Sequence, residues 1–77
     1  MSRLPALSSR RIIQALRKAG FVEAPKRGKG SHVAFIKHAP SGTRLVIVPY
    51  GHDIPKGTIL AILEQAGLSR EEFLRLL

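Results

Sequence analysis

The stretch that most limits what this chain can fold into runs from Ser31 to Pro49. Two apolar-rich runs, residues 31–38 and 43–49, flank Ala39-Pro40-Ser41-Gly42. Proline presets φ and glycine is free to take positive φ, which is the chemistry of a tight reversal. Runs of this length, rich in Val, Ile and Phe, read as strands, and strands joined by a short turn pair antiparallel. A β-hairpin therefore occupies the middle of the chain, and the rest must cover one of its faces. The dense Leu, Val and Ile content of residues 44–48 predicts a central or well-covered place for the second strand. Period-two alternation puts His32, Ala34, Ile36 and His38 on one face and Val33, Phe35 and Lys37 on the other. Val33 and Phe35 are expected inward, and both histidines outward.

The flanks supply the cover. Ser8-Ser9 provides an N-cap for a helix over about residues 10–19, with Ile12, Ile13 and Leu16 as its apolar stripe and Ala15 and Ala19 extending it. Gly20 reads as its left-handed stop. Residues 21–24 form a short strand, kept to an edge or ended by Pro25. A second helix is expected from residue 56 or 57 to 66, with Ile59, Leu60, Ile62 and Leu63 as its face, Ala66 below and Gly67 as its stop. Ser69 and Glu72 have capping-box spacing and open a last short helix to Leu77. The order is α-β-β-β-α plus a short α. Both amphipathic helices need the same sheet face. The expected fold is a two-layer α+β domain: a three-stranded antiparallel sheet, both helices on one face, a short extra C-terminal helix, and the other sheet face at least partly open.

Composition narrows the function. Seventy-seven residues make one domain, 1–77. There is no cysteine, so neither a disulfide nor a thiolate metal site is available, which fits a cytoplasmic protein. The apolar runs at 45–48 and 59–63 fall far short of the roughly 20 residues of a membrane span, and no secretory signal is expected at the N-terminus. The net charge of +8 is unevenly placed. Residues 1–44 hold ten Lys and Arg against Glu23 alone, a balance of +9, and residues 45–77 balance at −1. A basic half beside a near-neutral half is the footprint of a polyanion partner, nucleic acid above all. An anionic membrane is disfavoured, because no single helix joins a cationic face to a wide apolar one.

The candidate site is Lys26-Arg27-Gly28-Lys29-Gly30-Ser31-His32, with three cations, two glycines, a hydroxyl and an imidazole in seven residues. Cations attract phosphate, and glycines let the backbone approach a ligand closely. Histidine exchanges protons near neutral pH. Here it stands where a flexible basic loop meets a rigid strand. The plainer reading of the same residues is a solvated hairpin loop ending in a surface histidine.

Three stretches resemble one known family. Residues 8–21, SSRRIIQALRKAGF, are similar to the opening helix and Gly-aromatic stop of HicA-type (YcfA-like) mRNA interferase toxins. Residues 28–35, GKGSHVAF, resemble that family's Gly-Ser-His segment. Residues 47–73, IVPYGHDIPKGTILAILEQAGLSREEF, resemble its closing pattern. The resemblance implies a fold like a double-stranded-RNA-binding domain. It also implies an endoribonuclease that cuts mRNA in a toxin–antitoxin pair and is held inactive by a HicB-type antitoxin. It carries the catalytic role onto His32. Family members often have a second polar residue directly after this histidine; Val33 stands there, so a mechanism with two adjacent histidines is not supported.

RNA cleavage without a metal needs a base for the 2′-hydroxyl, charge stabilisation at phosphate, and a proton for the leaving 5′ oxygen. His32 is expected to act as base, or as base and acid in turn. Lys26, Arg27, Gly28, Lys29, Gly30 and Ser31 are expected to bind phosphate. His38, six residues on and about 20 Å away along a strand, is expected to be a surface residue. His52 is a possible secondary site residue, orienting its loop through Asp53 or approaching the site. Three widely spaced histidines without cysteine do not have zinc-ligand spacing, so neither metal nor cofactor is expected. Two other readings stay open. One is a non-catalytic RNA-binding module. The other, compatible with the toxin, is an interaction subunit that docks a partner through an exposed apolar C-terminus at residues 73–77.

Overall fold

The computed structural model describes residues 4, 6–25 and 30–77. Helix α1 (Ser9–Lys18) starts where the Ser8 hydroxyl accepts the Arg11 N–H at 3.3 Å. Ile12, Ala15 and Leu16 form its buried stripe. The helix ends at Ala19, and Gly20 turns the chain away at φ 99°. Then follow β1 (Val22–Glu23), β2 (His32–Ala39), β3 (Gly42–Pro49), α2 (Lys56–Ala66) and α3 (Arg70–Leu76). The expected α-β-β-β-α order with a short final helix is what the structure has.

β2 and β3 pair antiparallel from His32↔Pro49 to Ala39↔Gly42, leaving Pro40 and Ser41 as the turn, with Gly42 at φ 130°. β1 joins the other side of β2 through Val22↔Ile36 and Glu23↔Phe35. The sheet order is thus β1-β2-β3, so of the two places expected for the third strand, central or well covered, it takes the second. β3 is an edge strand; its apolar density serves coverage, since α2 packs on it and Val46 and Val48 are fully buried. Part of its free edge is closed as well: the Gln65 side-chain oxygen accepts the Ile47 N–H at 3.1 Å. A partner for an edge N–H blunts strand-to-strand association.

One hydrophobic core joins Ile12, Leu16, Phe21, Val33, Phe35, Val46, Val48, Ile59, Ile62, Leu63 and Phe73. The alternation of β2 is as expected: Val33 and Phe35 point inward, and His32 and His38 are exposed. The core also takes in Leu4 and Leu7, where no role was expected. Ile54 donates its N–H to the Leu7 carbonyl at 2.8 Å, tying the N-terminal segment to the start of α2. Two further expectations change. Leu60 lies outside the buried face of α2, which is Ile59, Ile62, Leu63 and Ala66 at i, i+3, i+4 and i+7. The C-terminal apolar segment is not held out for a partner: Phe73 is fully buried, and Leu74, Leu76 and Leu77 pack against the core beside α1.

Both later caps are built as their residues predict. Gly67 ends α2 at φ 71°, and a Cβ there would meet the Arg44 guanidinium carbon at 2.5 Å. Replacing Gly67 with Ala therefore adds left-handed strain and displaces Arg44. The expected loss is about 1–2 kcal/mol, or roughly 5–15 °C in Tm, read by thermal denaturation. At α3 the Ser69 hydroxyl accepts the Glu72 N–H at 3.1 Å, and Glu72 Oε1 accepts the Ser69 N–H at 2.9 Å. The Ser69 backbone N–H, then its side chain, holds the Glu72 carboxyl below its ordinary value of 4.5. A carboxyl depressed in the folded state stabilises above its unfolded pKa, and this is lost as pH falls through the folded one. The stability gap between wild type and Glu72→Gln should therefore narrow as pH drops below 4.5. Urea denaturation across a pH series checks this, and a gap independent of pH would contradict it.

Candidate active site

His32 is the first residue of β2, and its position follows from the strand pairing. Val33 and Phe35 are drawn into the core, so alternation sends the His32 ring to the open side of the sheet. The strand end beneath it is held on two sides of the same junction. His32 pairs with Pro49, and the Ser31 carbonyl accepts the Tyr50 N–H at 2.8 Å. The imidazole is thus exposed while its backbone belongs to the sheet.

The residues before it provide the approach. Gly30 sits at φ 57°, and among the described residues a Cβ built there would have no heavy atom within 4 Å. Glycine is used here for its left-handed turn. The Ser31 hydroxyl lies 3.4 Å from His32 Nδ1. When Nδ1–H donates to this hydroxyl, the Nε2 lone pair is the free base, and Ser31 keeps its own proton to donate elsewhere. Gly30, Ser31 and His32 are thus brought together at one strand end. Lys26, Arg27, Gly28 and Lys29, the rest of the predicted site, lie outside the described residues.

The other histidines separate clearly. His38 is exposed near the far end of β2, with Nδ1 3.0 Å from Thr43 Oγ1 across the hairpin. His52 is exposed in the loop after β3, where it lines a cleft with Tyr50, Gly51 and Arg10. That loop is anchored by Ser9. Its N–H donates to the Gly51 carbonyl at 2.9 Å, and its hydroxyl bridges the Gly51 carbonyl and N–H at 3.2 Å each. Among the described residues, no group of three His, Asp or Glu is placed to hold a metal ion.

Charge is also redistributed by the fold. Lys37 donates to the Ala19 carbonyl at 2.7 Å, which closes α1, and its ammonium lies 5.8 Å from the Phe21 ring centre. Arg17 stacks 5.2 Å from the Phe35 ring centre and pairs with Glu23 at 3.5 Å. Arg44 donates to the Gln65 carbonyl at 3.4 Å. These cations, counted in the basic half, are engaged in contacts with the chain itself, Arg17 and Arg44 at its surface. Arg10, Arg11 and Lys18 are exposed on α1.

A sequence profile of the family described as HicA toxin of bacterial toxin-antitoxin matches residues 9–68. The chain belongs to this family. No curated protein matches it significantly. The HicA match begins at the first residue of α1 and ends just past α2, so it includes His32 and His52 and stops short of α3. The chain is thus a HicA toxin, one half of a toxin–antitoxin pair, and an antitoxin partner follows from that membership. Among its described residues no helix is long and apolar enough to cross a membrane.

Because the His32 ring is exposed and, among the described residues, hydrogen-bonds Ser31 alone, His32→Ala should leave the fold intact. Its stability should stay within about 0.5 kcal/mol of wild type in urea denaturation. A larger loss would mean that the ring supports the structure.

Proposed function

We propose that this HicA chain is a metal-independent endoribonuclease that cuts mRNA, with His32 as general base. The observation that supports it is the exposed His32 ring on a fixed strand end, with a left-handed glycine two residues before it.

In the proposed reaction, His32 Nε2 takes the proton from the ribose 2′-hydroxyl. The freed O2′ attacks the adjacent phosphorus, the P–O2′ bond forms, and the P–O5′ bond breaks. The products are a 2′,3′-cyclic phosphate and a 5′-hydroxyl. The proton gained by the imidazole returns to the leaving O5′, so one ring serves as base and then acid. Ser31, accepting from Nδ1–H, donates its hydroxyl proton to a phosphate oxygen. Lys26, Arg27 and Lys29 bind phosphates, Lys29 nearest the charge that develops at the cut, and the backbone at Gly28 and Gly30 lets RNA come close. Binding and cleavage reside in one unit, residues 1–77, acting in the cytoplasm where mRNA is met.

Inhibition follows from the same surface. A HicB-type antitoxin with an acidic face over residues 26–32 excludes RNA by occupancy and by charge. It also stabilises the toxin by binding the folded form.

The test compares wild type and His32→Ala on a defined mRNA in excess EDTA. Wild type should cut at the same rate with and without chelator, and His32→Ala should cut about 10²–10⁴-fold more slowly while still binding. Equal rates for the two proteins would remove His32 from the chemistry, and loss of wild-type cutting in EDTA would point to a metal.

A further inference from the structure

The cleft beside the end of β3 takes no part in the mechanism above. It encloses about 430 Å³ and is lined by Ser8, Ser9, Arg10, Tyr50, Gly51 and His52. This is within the roughly 300–1,000 Å³ of sites that hold small ligands.

Tyr50 is the unusual member. The chain has three phenylalanines and one tyrosine. Phe21, Phe35 and Phe73 are buried at 2%, 0% and 0% exposure, whereas Tyr50 is 59% exposed. A large ring more than half exposed gains little of the burial that holds the other three. Its backbone, by contrast, is fixed: the Tyr50 N–H donates at 2.8 Å to the carbonyl of Ser31, the residue before His32. The next residue, Gly51, is held on both its N–H and its carbonyl by the buried Ser9. A Cβ at Gly51 would meet Ile54 Cδ1 at 3.0 Å, so the loop also lies close against the core. A rigid loop thus presents Tyr50 and His52 outward, opposite Arg10. The first turn of α1 holds no acid, although acids are what the helix dipole favours there; it carries Arg10 and Arg11 instead. The face keeps positive charge where helix stability would prefer the opposite.

An exposed ring, a guanidinium and an imidazole around one cleft match the parts of a nucleotide. We infer that this cleft is a subsite for one unpaired nucleotide of the RNA next to the cut, with the Tyr50 ring stacked on its base and Arg10 and His52 on its phosphate. The inference rests on the ribonuclease reading of His32 and extends the RNA contact from the broken bond to its neighbour. A base can stack on a side chain only when it is splayed out of a helix, so the RNA is single-stranded at this point. Stacking on a ring tolerates any base, which makes the subsite a demand for an unpaired base rather than for a particular letter.

The chain itself carries the probe. It has one tyrosine and no tryptophan, so tyrosine emission reports Tyr50 alone. The wild-type chain is titrated with a short 2′-O-methyl oligonucleotide, which lacks the attacking hydroxyl and is not cut. Saturable quenching of Tyr50 is expected. A strand of the same length made abasic should bind through its phosphates and quench far less. By anisotropy of a labelled strand, Tyr50→Ala should bind roughly 5- to 150-fold more weakly, and Tyr50→Phe, which keeps the ring, should bind like wild type. Equal quenching by the abasic strand, or undiminished affinity of Tyr50→Ala, would overturn the subsite. So would emission that answers to the antitoxin and not to RNA, which would mark the cleft as a protein dock. The two readings fail separately. A chain that cuts RNA with silent Tyr50 emission loses only the subsite, whereas quenching by a chain that cuts nothing loses only the ribonuclease.

Discussion

The register between β2 and β3 is the constraint on which the rest of the structure depends. Eight consecutive pairs, from His32↔Pro49 to Ala39↔Gly42, lock the two strands together. Side chains alternate along a strand, so a slip of one residue would exchange the two faces completely. Val33, Phe35, Val46 and Val48, all buried, make that slip costly. Each such side chain contributes about 1.5–3 kcal/mol when taken out of water. The same register turns the His32 ring outward and brings the ends of two loops together through Ser31 and Tyr50. Core packing and the presentation of the candidate base are therefore one geometric fact.

Local chemistry made most of this fold legible. Ser8 as N-cap, Gly20 and Gly67 as left-handed stops, the Pro40-Ser41 turn and the Ser69–Glu72 box each act within a few residues, so a short window of sequence contains both partners. What escaped is long-range. Apolar density marks a covered strand and does not say whether cover comes from strands on both edges or from a helix on one face; β3 has the latter. Leu4 and Leu7 lack helical or strand period, and only the pairing of Leu7 with Ile54 reveals them as core. Ser9 and Gly51 are 42 residues apart, and no local pattern links them.

The candidate site divides along the same line. His32, Ser31 and Gly30 are a candidate group that sequence alone can assemble, because residues adjacent in the chain are also neighbours in space. The cations were legible as a number and not as a surface. Lys37 closes α1, Arg17 braces Glu23 and Phe35, and Arg44 reaches α2, so part of the basic half works on the structure itself. Tyr50 stood in the sequence as one aromatic among four, and its exposure became visible only once the phenylalanines were seen to be buried.

A small toxin of this kind has few ways to combine a stable core with reactive chemistry. Here the core occupies one face of the sheet, and the candidate base stands on the other, at the strand end beside two loops. In the proposed reaction the nucleophile is the ribose hydroxyl that His32 deprotonates. The most direct test of this is cleavage of an RNA carrying a single 2′-deoxy nucleotide at the site of the cut. The account predicts that this one bond becomes resistant while cutting elsewhere on the same strand continues, and that the unmodified strand yields a 2′,3′-cyclic phosphate end. Cutting at the 2′-deoxy position at an unchanged rate would contradict it.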